Sequence, residues 1–258
     1  WAQLSAMVEL DNVSRIGEDR YNDTRNGKTQ YPTVVDPDGG DLNQALVKYV
    51  GIANTPVTVG RQRLNLDNQR WIGSVGWRQN EQTLDAGVVE FKGVDRLTVT
   101  YAYVAAVNRI NGPEQGTPPA IYESDSTLLN AKYVFGPALT AVGYAYSLDF
   151  DNAAASSNRT VGVRATGKVP VGDFNLNYAG ELARQADTGD NAADYDAAYG
   201  LAEVGFGKGA WEVQAGYELL GSDDGVAAVQ TPLATGHKFQ GWADKFLTTP
   251  GNGLEDLY

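Results

Sequence analysis

Hydrophobic and polar positions alternate along most of this chain with a period of two, the signature of strands that bury one face. Trp211, Val213, Ala215, Tyr217 and Leu219 share one face, with Glu212, Gln214, Gly216 and Glu218 on the other. Phe174, Leu176, Tyr178 and Leu182 oppose Asn175, Asn177 and Glu181, and Val204 and Phe206 oppose Glu203 and Gly205. Val142, Tyr144, Tyr146, Leu148 and Phe150 oppose Ala141, Gly143, Ala145, Ser147 and Asp149, while Leu97, Val99, Tyr101 and Tyr103 oppose Arg96, Thr98, Thr100 and Ala102. Tight turns (Gly51 to Asn54, Gly93-Val94, Gly136-Pro137, Pro170 to Gly172, Gly207 to Gly209) alternate with long polar segments. Those segments are Val13 to Gly40, Asn65 to Thr83, Asn108 to Asp125, Asp151 to Asn158, Gln185 to Asp194 and Gly221 to Gly253. Strict alternation sends every long loop to one rim of a sheet and every tight turn to the other, as in outer-membrane barrels.

The apolar face could meet a protein core or lipid. The opposite face carries mainly Gly, Ala, Ser, Thr, Asn and Gln with sparse charges, which suits a water-filled lumen better than the charged exterior of a soluble sandwich. Strands of about ten residues match a tilted bilayer crossing. Tyr outnumbers Phe, 14 to 7, and recurs near strand ends, as interfacial girdles require. The reading is all-β: a transmembrane antiparallel up-and-down barrel, with about 11–12 strands here, in a single domain spanning residues 1–258. Both ends read as cut within strands, so the chain is expected to be an internal segment of a larger barrel. Eleven strands already exceed the eight that side chains can fill, so a channel is expected unless loops plug it.

Composition narrows the chemistry. There is no Cys and one His, His237, so neither a thiolate nor a multi-His metal site is expected, and no cofactor. A formal charge of −12 argues against nucleic acid. Its acids gather in the long segments (Glu18, Asp19, Asp23, Asp36, Asp38, Asp187, Asp190, Asp194, Asp223, Asp224), where they make a solvated loop surface or bridge through divalent ions to lipopolysaccharide. Asp36-Pro37-Asp38-Gly39-Gly40-Asp41 has the start of a calcium loop, but its twelfth position is Val47, so a turn into the next strand is the better account.

If the apolar faces meet lipid, Lys48, Arg61, Arg63, Lys92, Arg96, Lys132, Arg164 and Lys168 line the lumen, opposite an acidic arc of Glu9, Glu90, Asp149, Glu181, Glu203, Glu212 and Glu218. Such a field would filter solutes by charge. Arg61 and Arg63 sit two apart on a strand and could grip a carboxylate bidentately. Val57 and Val59 share their parity, so a bulge at Gly60 is expected to restore the phase.

The chain resembles the alginate export family of outer-membrane porins. The resemblance is carried by 60–70 (Gly-Arg-Gln-Arg-Leu-Asn-Leu-Asp-Asn-Gln-Arg), Val75-Gly76-Trp77-Arg78-Gln79-Asn80, Gln82 to Ala86, Tyr21 to Thr24, Asn26-Gly27-Lys28, Val107-Asn108-Arg109-Ile110 and 235–246. It implies an eighteen-stranded monomeric barrel with a positive constriction that passes an anionic polyuronate, in contact with outer-membrane lipid and periplasmic export machinery. Arg61, Arg63, Arg70, Arg78 and Arg109 match its pattern as residues that line or close the pore; Arg70, Arg78 and Arg109 fall in predicted loops, where loop-to-loop pairing serves equally. The expected function is diffusion or export of anionic saccharides or small polar solutes across the bacterial outer membrane, without catalysis. The alternatives are a barrel-type outer-membrane hydrolase using His237 and a soluble β-sandwich carbohydrate-binding module.

Overall fold

A computed structural model describes residues 2–18, 20–114, 116, 118–240 and 247–258. Asp19, the ends of the reading at Trp1, and the 241–246 part of the family motif lie outside them. The period-two segments form β1 (Leu4–Val13), β2 (Gly39–Tyr49), β3 (Val57–Gln62), β4 (Thr83–Phe91), β5 (Leu97–Asn108), β6 (Ile121–Gly136), β7 (Leu139–Leu148), β8 (Asn158–Val171), β9 (Phe174–Asp187), β10 (Asp196–Lys208) and β11 (Trp211–Leu220). A two-residue hairpin, β12 (Ser222–Asp223) with β13 (Ala227–Ala228), and a four-residue helix α1 (His237–Gln240) lie in the last long loop, before β14 (Leu254–Leu257).

Eleven of these strands pair in sequence order, and β14 adds to β11, giving one twelve-stranded antiparallel sheet whose edges are β1 and β14. This is the wall of an up-and-down β-barrel, not two stacked layers, so the sandwich alternative does not fit. Short connections (50–56, 92–96, 137–138, 172–173, 209–210) and long ones (14–38, 63–82, 109–120, 149–157, 188–195, 221–253) alternate as expected. The calcium-like stretch is a lead into β2, which begins at Gly39; Asp38 accepts from Arg15 at 2.5 Å.

One face of the sheet carries exposed apolar side chains: Val163 on β8, Leu182 on β9 (68% exposed), Val204 and Phe206 on β10, and Trp211 (83%) and Val213 on β11. Leaving such a side chain in water forgoes roughly 1.5–3 kcal/mol each, which hydrocarbon recovers. The other face is covered from within. Two long loops, 63–82 and 221–253, fold onto it and are stitched together: Gly73 donates to Leu233 O (2.9 Å), Thr235 to Gln69 O (3.1 Å), and Gln82 Nε2 to Leu233 O (3.3 Å). Ile72, Leu128, Leu220, Val229 and Leu233 are buried between loops and wall.

The faces of β5, β8, β9, β10 and β11 are those read from the pattern, but β7 is reversed. Val142, Tyr144, Tyr146, Leu148 and Phe150 lie buried on the loop-covered side, which leaves Ala141, Gly143, Ala145 and Ser147 on the lipid side. The apolar stripe of β7 is a core stripe, because Trp71 from the 63–82 loop packs against Tyr144 and Tyr199 at 6.2 and 4.9 Å between ring centres.

The expected bulge at Gly60 is also absent. Register runs unbroken as Ala45–Arg61–Asp85 and Leu46–Gly60–Ala86, and the shifts fall instead near Glu9, Asp85, Val104 and Val134. Gly60 answers a different need: its φ is +123°, and a Cβ there would overlap the carbonyl oxygen of Ala45.

Candidate functional site

The inner face is organised by two buried carboxylates. Glu181 on β9, 3% exposed, accepts from Arg164 Nη1 on the neighbouring β8 (2.6 Å), from Tyr144 Oη on β7 (2.6 Å) and from Trp71 Nε1 of the inward loop (2.7 Å). Glu218 on β11 accepts from Tyr199 Oη (2.7 Å) and from Arg70 Nη2 (3.2 Å), with Arg70 Nε 2.8 Å away. Arg70 is fully buried, and its guanidinium also lies 4.8 Å from the Phe239 ring centre of the second loop. A third tether joins Asp67 to Asn130 Nδ2 (2.7 Å), itself bonded to Tyr146 Oη; burial, above all, holds the Asp67 carboxyl above its usual range, against the Asn130 bond. Charges in so dry a place persist only when paired and hydrogen-bonded. The 63–82 loop is therefore a plug bolted to the wall.

The residues expected to line the pore divide into several groups. Arg164 and Glu181 face inward but neutralise each other. Arg61 keeps the parity of Val59, on the apolar face, and grips a carboxylate bidentately, yet the carboxylate is the chain's own Asp85 (2.7 and 3.0 Å). Arg63 follows β3 and turns inward between Glu81 (Nε, 2.6 Å) and Glu9 (Nη2, 2.9 Å); these bonds, Glu81 first, raise its pKa. The two arginines thus share neither a face nor a ligand, which corrects their assignment as a joint anion clamp. Arg96 is not on the wall: it sits in the turn before β5 at φ +61°, bonded to Phe135 O (3.3 Å) and beside Asp95 (3.3 Å). Glu90 faces inward near the short-turn rim, with Lys92 Nζ at 3.2 Å. Lys48 and Lys132 have the inward parity of Thr58 and Val142. Neither has an ion-pair partner among the described residues.

Above the plug, on the long-loop side, lies a cavity of about 960 Å³ lined by Trp77, Arg78, Arg109, Tyr122, Tyr195 and His237 among others. Arg78 stacks on Trp77 (4.3 Å) and stands 3.7 Å from Asp36; burial lifts the Asp36 carboxyl above its usual range, with Arg78 opposing. His237 packs on the same indole at 4.2 Å. Arg109 lies 4.2 Å from the Tyr122 ring centre, reaches Pro119 O at 3.5 Å, and keeps a buried Nε without a hydrogen-bond partner among the described residues. Among the described residues it has no carboxylate partner. Burial, the largest effect, depresses its pKa; Tyr122 opposes this and Arg25 adds to it.

Sequence reading missed Trp71 and the inward roles of Tyr144 and Tyr199. The available signal was an apolar Trp71-Ile72 pair inside a polar loop.

The fold and the sequence have known relatives. The family model described as alginate export matches residues 2–229. Solved structures with the same fold, all from Pseudomonas aeruginosa, include OpdK with vanillate (TM-score 0.55, 17% identity, 68% of this chain and 46% of that one). They also include OccK5 (OpdH), at 0.57, 18%, 72% and 51%, and OccD3 (OpdP), at 0.59, 17%, 70% and 44%. The chain spans about half the length of these proteins. No curated protein sequence matches it. The model match covers most of the chain and the fold is that of outer-membrane porins, so this is a β-barrel chain of the bacterial outer membrane, and it belongs to the alginate export family.

Proposed function

We propose that residues 1–258 act as one barrel domain, wall and plug of a monomeric outer-membrane channel for small polar and anionic solutes, saccharides included. It uses no covalent chemistry and no cofactor. The observation that carries the reading is the contrast between neutralised and un-neutralised cations. Arg61, Arg63, Arg70 and Arg164 are each held by the chain's own carboxylates, whereas Arg109 faces the vestibule with none among the described residues. A partly desolvated guanidinium favours an anion strongly, and Trp77, 44% exposed, offers an apolar wall to a sugar or aromatic ring bearing a carboxylate. The vanillate in OpdK has that chemistry. A polyuronate fits the charge requirement, with the plug setting how wide a solute can pass. His237 is stacked in the same apolar cavity, which suits packing better than catalysis. Lipase or esterase activity of the purified protein that His237→Ala abolished would return the hydrolase alternative.

The test is selectivity. In planar bilayers holding the full-length channel under a salt gradient, Arg109→Ala should move the reversal potential toward cation preference. Arg61→Ala should leave it in place and cost no more than about 1 kcal/mol of stability, the usual worth of a part-exposed ion pair. An Arg109→Ala channel with the parent's reversal potential overturns the assignment.

A further inference from the structure

The lipid-facing side of the sheet is not uniform. On β8 and β9, two arginines occupy its long-loop end: Arg159 pairs across to Ala186, and Arg184 to Val161. Register places them diagonally on adjacent strands, with Cα atoms about 7–8 Å apart. Both are exposed, and both share the outward parity of Val161 and Val163. Arg184 holds Asp196 at 2.9 Å; Arg159 has no ion-pair partner among the described residues. They stand out on a chain of charge −12.

Below them the same face opens into a shallow apolar groove of about 650 Å³. Tyr133 and Phe135, packed edge to face at 4.6 Å, form one side; Val163 and Leu182 form the other. The floor is low because the outward positions between them are small, Gly143 and Gly180 among them. This groove exists because β7 is reversed: its large residues point inward and its small ones outward. The groove runs from the middle of the wall to the short-turn rim, where Leu97 opens β5 and Phe135 stands two residues before the β6–β7 turn; its upper end is the part nearest the arginines. Rows 163 and 165 lie four and six residues along β8 from Arg159, about 13 and 20 Å of strand. At a tilt of about 45° that is roughly 9 and 14 Å beneath the arginines, within the outer half of a core about 30 Å thick.

We propose that this surface binds lipopolysaccharide, with one acyl chain laid along the upper end of the groove at Gly143, Val163 and Leu182 and a lipid A phosphate shared by Arg159 and Arg184. The proposal rests on the chain's place in the outer membrane and is independent of what the channel conducts. Guanidinium pairs match phosphate oxygens in charge and fork geometry, and the groove supplies the apolar complement directly beneath. The long-loop rim faces outward in barrels of this type, so the leaflet is the one that holds this glycolipid.

Rough lipopolysaccharide retained by the full-length protein in detergent, measured by native mass spectrometry, tests the site. Arg159→Gln/Arg184→Gln should weaken retention about tenfold, as should Gly143→Leu, which fills the groove. Unaltered protein should retain dephosphorylated lipopolysaccharide about tenfold less well than the intact lipid. Folding of each variant is read from heat-modifiable gel migration and from unchanged single-channel conductance. Equal retention by the arginine variant, or no preference of the unaltered protein for the phosphorylated lipid, overturns the proposal; altered ion selectivity alone would concern the vestibule instead.

Discussion

Replacing Glu181 with alanine should unbolt the plug and destabilise the barrel by about 3–5 kcal/mol, the usual consequence of removing one partner from a buried ion pair. Three groups lose their acceptor at once: Arg164 Nη1, Tyr144 Oη and Trp71 Nε1. Each buried donor left unsatisfied costs about 1–3 kcal/mol, and the three do not add, since relaxation of one relieves the others. Trp71 is one of three bolts between loop and wall, beside Arg70 on Glu218 and Asp67 on Asn130, so its release should loosen the 63–82 loop on the inner face. The expected result is a lower urea midpoint for the full-length protein in lipid vesicles and a larger, noisier single-channel conductance. Glu181→Gln preserves shape and should fall between the two proteins. A parent-like midpoint and conductance for Glu181→Ala would show that the loop is held elsewhere.

The second large effect concerns β7, where the pattern and the packing disagree about which face meets lipid. Gly143→Arg should cost about 2–4 kcal/mol, as a cation near the bilayer midplane does, and Leu182→Arg on β9 should cost as much. If the apolar stripe of β7 met lipid instead, Gly143 would face water, and an arginine there would be nearly neutral. Folding equilibria in vesicles of defined thickness separate the two arrangements. Neutrality of Gly143→Arg beside a costly Tyr144→Arg would reverse the facing of β7.

The reason the pattern misleads there is physical. Alternation reports that one face of a strand is drier than the other, and a lipid face and a loop-covered core face are equally dry. In β11 the ambiguity does not arise, because Glu212 and Glu218 oppose Trp211 and Val213 and no buried core accepts the glutamates singly. In β7 the opposing residues are Ala, Gly and Ser, which tolerate either environment. Only the arrival of Trp71, about seventy residues earlier in the chain, makes Tyr144 and Tyr146 interior.

The arginines teach a related point. Arg61 and Arg63 read as a pair because they are two apart, but β3 ends at Gln62, and the chain turns between them. Their carboxylate partners, Asp85 for one and Glu81 with Glu9 for the other, come from neighbouring strands and loops. Arg109 looked no different from Arg70 or Arg78 in sequence. It is distinguished by what the fold leaves unpaired around it.

Local chemistry was enough to specify strands, turn lengths, the single meandering sheet and the rim from which long loops depart. Those depend on side-chain alternation and backbone geometry within a few residues. Which charges cancel, which loops fill the lumen and which side of β7 is wet by lipid depend on groups brought together from 17 to 170 positions apart. Burial and ion pairing are set by every neighbour at once, and only the folded chain supplies those neighbours.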